Sequence, residues 1–262
     1  MKNFKGINSF FSALLLSSFA ALVPLADKAV AQFKVSPLVI ETTVKKGQAS
    51  GTITVTNVSS EPARFRIKAF PFTYGNDGFA IVEESDNDLT PFLNYSPREL
   101  AIQPGETRRV RFVSRLLPST PAGEYRAVIT SERLVDRANT GSQVSTVARM
   151  AVVVFVRHGD ADSNLTIQAG SYNPTEKKID LLAVNSGNAS VRPSVIWKLK
   201  QKDKVVTSGY LDATTIIAEG ERTLSFEYPE ATSGEYQLTG ELKWANNQGS
   251  EKMPFAVDVV IP

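Results

Sequence analysis

The chain has 262 residues, a formal net charge of +2 and no cysteine. The missing cysteines exclude a disulfide framework, a thiolate metal site and a cysteine nucleophile. The near balance of charge predicts no strongly basic surface and no nucleic-acid partner.

At the N-terminus, Lys2 and Lys5 precede a largely apolar stretch over 10–25, and Ala29-Val30-Ala31 supplies small residues for a cleavage site. Residues 1–31 therefore read as a signal peptide cut before Gln32. Serines and Pro24 interrupt the run short of the ~20 apolar residues that a membrane span needs, so no stable insertion is expected after cleavage. Lys2, Lys5 and Lys28 against Asp27 leave with this leader, and the remainder is close to neutral. A cysteine-free exported chain must hold itself by burial, and roughly 230 residues suffice for two cores. The expected location is the periplasm of a Gram-negative-type envelope. The Asn-X-Ser/Thr triplets at Asn57, Asn94, Asn164 and Asn188 are then chance matches.

Beyond the leader, period-two alternation dominates. It predicts strands over 35–43, 51–57, 63–72, 98–102, 107–116, 123–132 and 145–157. In Arg64-Phe-Arg-Ile-Lys-Ala69, Phe65 and Ile67 are expected to point inward. The polar segment 74–88 reads as an exposed connection. Gly159-Asp-Ala-Asp-Ser163 marks a domain boundary, followed by strands over 165–171, 177–185, 191–201, 204–211, 221–228, 234–244 and 251–260.

The two halves repeat one plan. Thr54-Val-Thr-Asn57, Gln103-Pro-Gly-Glu106 and Gly123-Glu-Tyr125 recur in order as Ala183-Val-Asn185, Ala218-Glu-Gly-Glu221 and Gly234-Glu-Tyr236. Six or seven short strands per half predict an all-β chain of two immunoglobulin-like sandwiches, residues 32–158 and 159–262. A pair of small closed barrels is the alternative.

Catalytic constellations are absent from the sequence. The single histidine, His158, reads as an exposed linker residue, and no Gly-X-Ser-X-Gly elbow accompanies it. One histidine and no cysteine argue against zinc. The acidic run Glu83-Glu84-Ser-Asp86-Asn-Asp88 lacks calcium-loop spacing. No enzyme activity, cofactor or metal is expected. From Met150 to Val156 every residue is apolar, which suits a buried strand, whereas 144–150 mixes Ser, Thr and Ala with Arg149. Such a strand is core at one end and free to pair with another chain at the other.

Tyr95-Ser-Pro97, Leu100-Ala-Ile-Gln-Pro-Gly-Glu106, Val110-Arg-Phe112, Gly123-Glu-Tyr-Arg126 and Val154-Phe-Val-Arg-His-Gly159 together resemble the PapD-like periplasmic pilus-assembly chaperones, in a divergent branch. The resemblance implies donor-strand complementation, in which the chaperone lends its seventh strand to a pilin-like subunit lacking its own last strand. Val144, Thr146, Ala148, Met150 and Val152 would be the lending face, with Val147 and Ala151 as the opposite choice. It also implies a basic anchor for the subunit's C-terminal carboxylate. Glu41 and Val153 occupy the positions where the best-known members carry it, so Arg126 and Arg149 are the expected anchors here. Pilin-like subunits, and an outer-membrane usher where the system has one, are the implied partners. The alternative is a secreted structural or adhesive two-domain surface protein, with Tyr172, Trp197 and Trp244 facing glycans.

Overall fold

A computed structural model describes residues 32–76, 78–134, 148–228, 232–246 and 249–262. The leader lies outside the described residues, as do Val144, Thr146 and Val147. Among the described residues the regular structure is strand, apart from a single 3-10 turn at Thr90–Phe92. No helix among them is long and apolar enough to cross a membrane.

The first half contains β1 (Phe33–Ser36), β2 (Val39–Thr43), β3 (Gln48–Asn57), β4 (Ala63–Phe70), β5 (Phe72–Gly75), β6 (Gly78–Ile81), β7 (Leu93–Ser96), β8 (Glu99–Ile102), β9 (Thr107–Arg115), β10 (Gly123–Leu134) and β11 (Arg149–His158). One sheet runs β1-β3-β9-β7 and the other β2-β11-β10-β4-β8. Between them Phe33, Phe65, Ile67, Phe112, Ile129 and Val154 build one core. Alternation in β4 puts Phe65 and Ile67 inside and leaves Arg64 and Lys68 exposed.

The second half contains β12 (Leu165–Asn173), β13 (Lys178–Asn185), β14 (Ser194–Gln201), β15 (Lys204–Leu211), β16 (Gly220–Glu227), β17 (Gly234–Asn246) and β18 (Gly249–Ile261). Sheets β12-β13-β16 and β15-β14-β17-β18 enclose a separate core that includes Ile179, Leu181, Trp197 and Leu238.

The repeated motifs are repeated solutions to backbone hydrogen bonding. Asn57 and Asn185 are fully buried at the ends of β3 and β13. The Nδ2 of Asn57 donates to the carbonyls of Glu61 (2.7 Å) and Ile102 (3.0 Å), and its Oδ1 accepts from the Ser59 amide. Asn185 does the same with Ala189 (2.8 Å), Ile217 (3.1 Å) and the Gly187 amide. Each asparagine therefore satisfies buried carbonyls of a chain that has left its strand. Tyr125 and Tyr236 each donate to a carbonyl four residues upstream, at Pro121 (3.1 Å) and Thr232 (2.9 Å). The glycines opening these strands, Gly123 and Gly234, have φ of 149° and 148°, outside the range of ordinary L-residues.

Two sequence expectations need correction. The predicted strand 35–43 is two strands, because the chain crosses from one sheet to the other at Pro37: β1 pairs with β3 and β2 with β11. The segment 74–88 is not a plain connection. Its start forms the β5–β6 hairpin, in which Phe72 is fully buried against Val128 and Phe155.

Candidate functional site

β11 is flanked unequally. On one side it pairs with β10 over its whole described length, from Glu132↔Arg149 to Gly123↔His158. On the other side β2 runs parallel to it only from Val153 to Arg157. Val153 N donates to Leu38 O at 3.0 Å and Arg157 O accepts from Val44 N at 2.8 Å, so the odd-numbered residues turn their peptide groups toward β2. Ala148 O accepts from Arg133 of β10 at 3.1 Å, so the even-numbered ones turn the other way. By that alternation Arg149 and Ala151 direct amide and carbonyl away from β10. Among the described residues no strand pairs with them on that flank.

The side chains of β11 also change character along it. Val152, Val154 and Val156 are buried in the first core, while Ala148 and Met150 are only partly buried at its lip. Val152 is 1% exposed. Its side chain fills its own core, while Ala148 and Met150, the other described members of the expected lending face, stay partly covered. On the opposite face Ala151 and Val153 pack with Phe72, Val128 and Phe155.

The two expected anchor arginines are not brought together. Arg126 stands opposite Phe155 and Arg149 opposite Glu132, six residues apart along the ladder. At about 3.4 Å per residue that is about 20 Å, too far to share one carboxylate. Arg149 is exposed and donates to Glu132 Oε2 at 2.6 Å, which occupies it as an ordinary surface pair. In this structure the Arg149 guanidinium is thus engaged by Glu132 at the surface.

Arg126 is buried at the end of β11 nearest the second sandwich. β4 ends before reaching it, and the 87–89 segment takes its place: Arg126 N donates to Asn87 O (2.8 Å) and Leu89 N to Arg126 O (3.0 Å). Its side-chain bonds, to Phe72 O and Ser85 Oγ, are both long at 3.5 Å, and its Nη1 has no partner among the described residues. Burial pulls its pKa down, opposed by the charges of Glu124, Asp86 and Glu219.

Next to it, Glu124 is 1% exposed and joins the two sandwiches. Its Oε1 accepts from the Ser190 amide (3.1 Å) and hydroxyl, and Arg157 Nε donates to its Oε2 (3.5 Å). Arg157 also donates to Ser190 O at 3.0 Å. Burial pushes the Glu124 carboxyl above its usual range, with Ser190 and Arg157 opposing. The β5–β6 turn makes a second tie. Thr223 N donates to Asn76 Oδ1 at 2.7 Å, and the Arg222 guanidinium lies 4.4 Å from the Tyr74 ring centroid. Neither tie is legible in the sequence. Glu235 holds the motif position equivalent to Glu124 and is exposed, so the motif alone does not mark the junction.

His158 is half-buried at the end of β11, not the exposed linker residue that was expected, and its Nδ1 has no partner among the described residues. Trp197 and Trp244 are 6% and 8% exposed, and Tyr172 packs against the second core. None of the three offers a glycan platform. No group of three metal-ligating side chains occurs among the described residues.

No family model matches the chain, and neither does any curated protein sequence. Solved structures do match it in fold. The class 5 fimbriae chaperone CfaA is 15% identical over 88% of this chain and 99% of its own, with a TM-score of 0.52. The YadV chaperone is 11% identical over 87% of this chain and all of its own, with a TM-score of 0.54. A chain of the CsuC–CsuE chaperone–tip adhesion subunit pre-assembly complex, from archaic chaperone–usher Csu pili of Acinetobacter baumannii, is 14% identical over 88% of this chain and all of its own, with a TM-score of 0.51. The chain thus resembles fimbrial chaperones in fold, in two immunoglobulin-like sandwiches.

Proposed function

We propose that this protein is a periplasmic chaperone that lends the open flank of β11 to a pilin-like subunit, and that it is not an enzyme. The observation that carries this reading is the half-paired state of β11. Among the described residues no strand pairs with the outward peptide groups of Arg149 and Ala151, which lie beside partly buried Ala148 and Met150 at the edge of the first core. An extended segment of another chain adding there would gain main-chain hydrogen bonds, and alternate side chains would set specificity. The likeness in fold to chaperones of fimbriae supports the same reading. No nucleotide or covalent step is needed, since folding of the subunit supplies the driving energy.

Within this reading the chain divides at Gly159 into domains 32–158 and 159–262, and Arg126 alone is carried forward as the carboxylate anchor. Its buried Nη1 lacks a partner among the described residues, and it sits near the end of β11 that leads to the second domain. An outer-membrane usher would then receive the loaded complex. The test is co-expression with pilin-like subunits from the same genome. The expected result is a stoichiometric complex in which the subunit resists proteolysis, weakened tenfold or more by Arg126→Gln if a desolvated carboxylate is held there. Failure of every such subunit to co-purify would overturn the chaperone reading. Unchanged affinity of Arg126→Gln would overturn only the anchor.

A further inference from the structure

Charge is segregated between the two sheets of the first sandwich, contrary to the expectation from the near-neutral total. In β2-β11-β10-β4-β8 four of the seven Lys and Arg side chains are held in ion pairs. Arg64 and Arg66 share Glu99, Arg149 takes Glu132 and Arg157 takes Glu124. The strands β1, β3, β7 and β9 contain no Asp or Glu at all. In β9 the buried side chains are Val110, Phe112 and Ser114, so Arg109, Arg111 and Arg115 stand on the outer face, and Lys34 of β1 joins them. The pairing Thr54↔Arg109, Thr52↔Arg111 and Gln48↔Arg115 fills the space between with hydroxyl and amide side chains. Among the described residues none of these four cations, nor Arg98 beside them, has a carboxylate within ion-pair distance. Arg98, Arg111 and Arg115 line a shallow hollow of about 330 Å³ with Asn94 and Ser96.

We infer that this face docks on a membrane surface of anionic phospholipid. The three β9 arginines span about 20 Å along one sheet face, a row of guanidinium forks that can contact several phosphates of one bilayer surface. Charge complementarity settles the sign of the occupant, and the missing apolar centre settles its kind. Protein interfaces are built around buried aromatic or aliphatic anchors with charge at the rim, and this face offers only half-buried Val113 at its middle. Just past Arg115, Leu117 is 66% exposed, an apolar side chain at the rim where headgroups would meet it. Neighbouring Lys45 and Lys46 form the turn that leads into Gln48. Docking in this way would leave β11, on the opposite sheet, free.

The test is co-sedimentation of the full chain with phosphatidylglycerol-containing vesicles and with pure phosphatidylcholine vesicles. Binding is expected only to the anionic vesicles and is lost near 0.5 M salt, where screening acts within about 4 Å. The variant Arg109→Gln/Arg111→Gln/Arg115→Gln is expected to bind about a hundredfold more weakly. The variant Arg64→Gln/Arg66→Gln/Lys68→Gln, with the same loss of charge on the other sheet, is expected to bind as the parent does. Equal loss in both variants would reduce the effect to net charge and overturn the proposal. So would saturable binding of inorganic phosphate without vesicle binding, or binding of poly-glutamate in preference to vesicles. None of these outcomes bears on strand lending by β11.

Discussion

Asn57 and Asn185 show how one residue type fixes a fold twice. Each buries a side-chain amide under carbonyls that have no ladder partner. Asn185→Ala leaves those carbonyls unsatisfied and is expected to cost about 3 kcal/mol in urea unfolding. A loss below about 0.5 kcal/mol would show that the clamp is dispensable. Glu124 makes a different prediction. Its folded-state pKa lies above the ordinary 4.5, because burial disfavours the carboxylate more than Ser190 and Arg157 favour it. Folding therefore takes up a proton at this site. The resulting stability is full below 4.5 and fades as pH rises through the folded value. Across that window the native protein is expected to lose stability relative to Glu124→Gln in urea melts, and parallel profiles would contradict it. The asparagines and the Gly-Glu-Tyr pair were legible in sequence because each occurs twice in the same order. The junction role of Glu124 was not, since Glu235 shares its motif but faces solvent.

At the scale of elements, most strands follow from alternation alone, as β4 and β9 illustrate. Two features escaped because the deciding contact is distant in sequence. The predicted strand 35–43 runs straight across Pro37, yet β1 and β2 pair with different sheets. The β5–β6 hairpin is rich in residues typical of loops, and what holds it is Phe72 against Phe155, with ring centroids 5.7 Å apart. The all-apolar run of β11 pointed to a strand with one committed end, and the register places the change between Val152 and Val153. Ala151→Pro tests that geometry. Its ring would project into the open flank, where no described strand receives that amide, a setting in which strand prolines are tolerated. Unfolding midpoints are expected to fall little while subunit capture is abolished. Retained capture would mean that the partner does not use this flank.

The whole molecule joins two sandwiches through buried Glu124, through Arg222 over Tyr74 and through Asn76 on Thr223. The junction sits beside Arg126, so a chain laid along β11 would run from the open end at Arg149 toward the second sandwich. Composition hides the segregation of charge between sheets, because a net charge sums over faces that only the fold separates. The central claim is that the outward peptide groups of β11 await a foreign strand, and hydrogen exchange at the Ala151 amide measures this directly. The expected result is fast exchange in the free protein and strong protection once a pilin-like subunit is bound, with the Val153 amide protected in both states. An Ala151 amide already protected in the free protein, or still exchanging freely in a stable complex, would contradict the account.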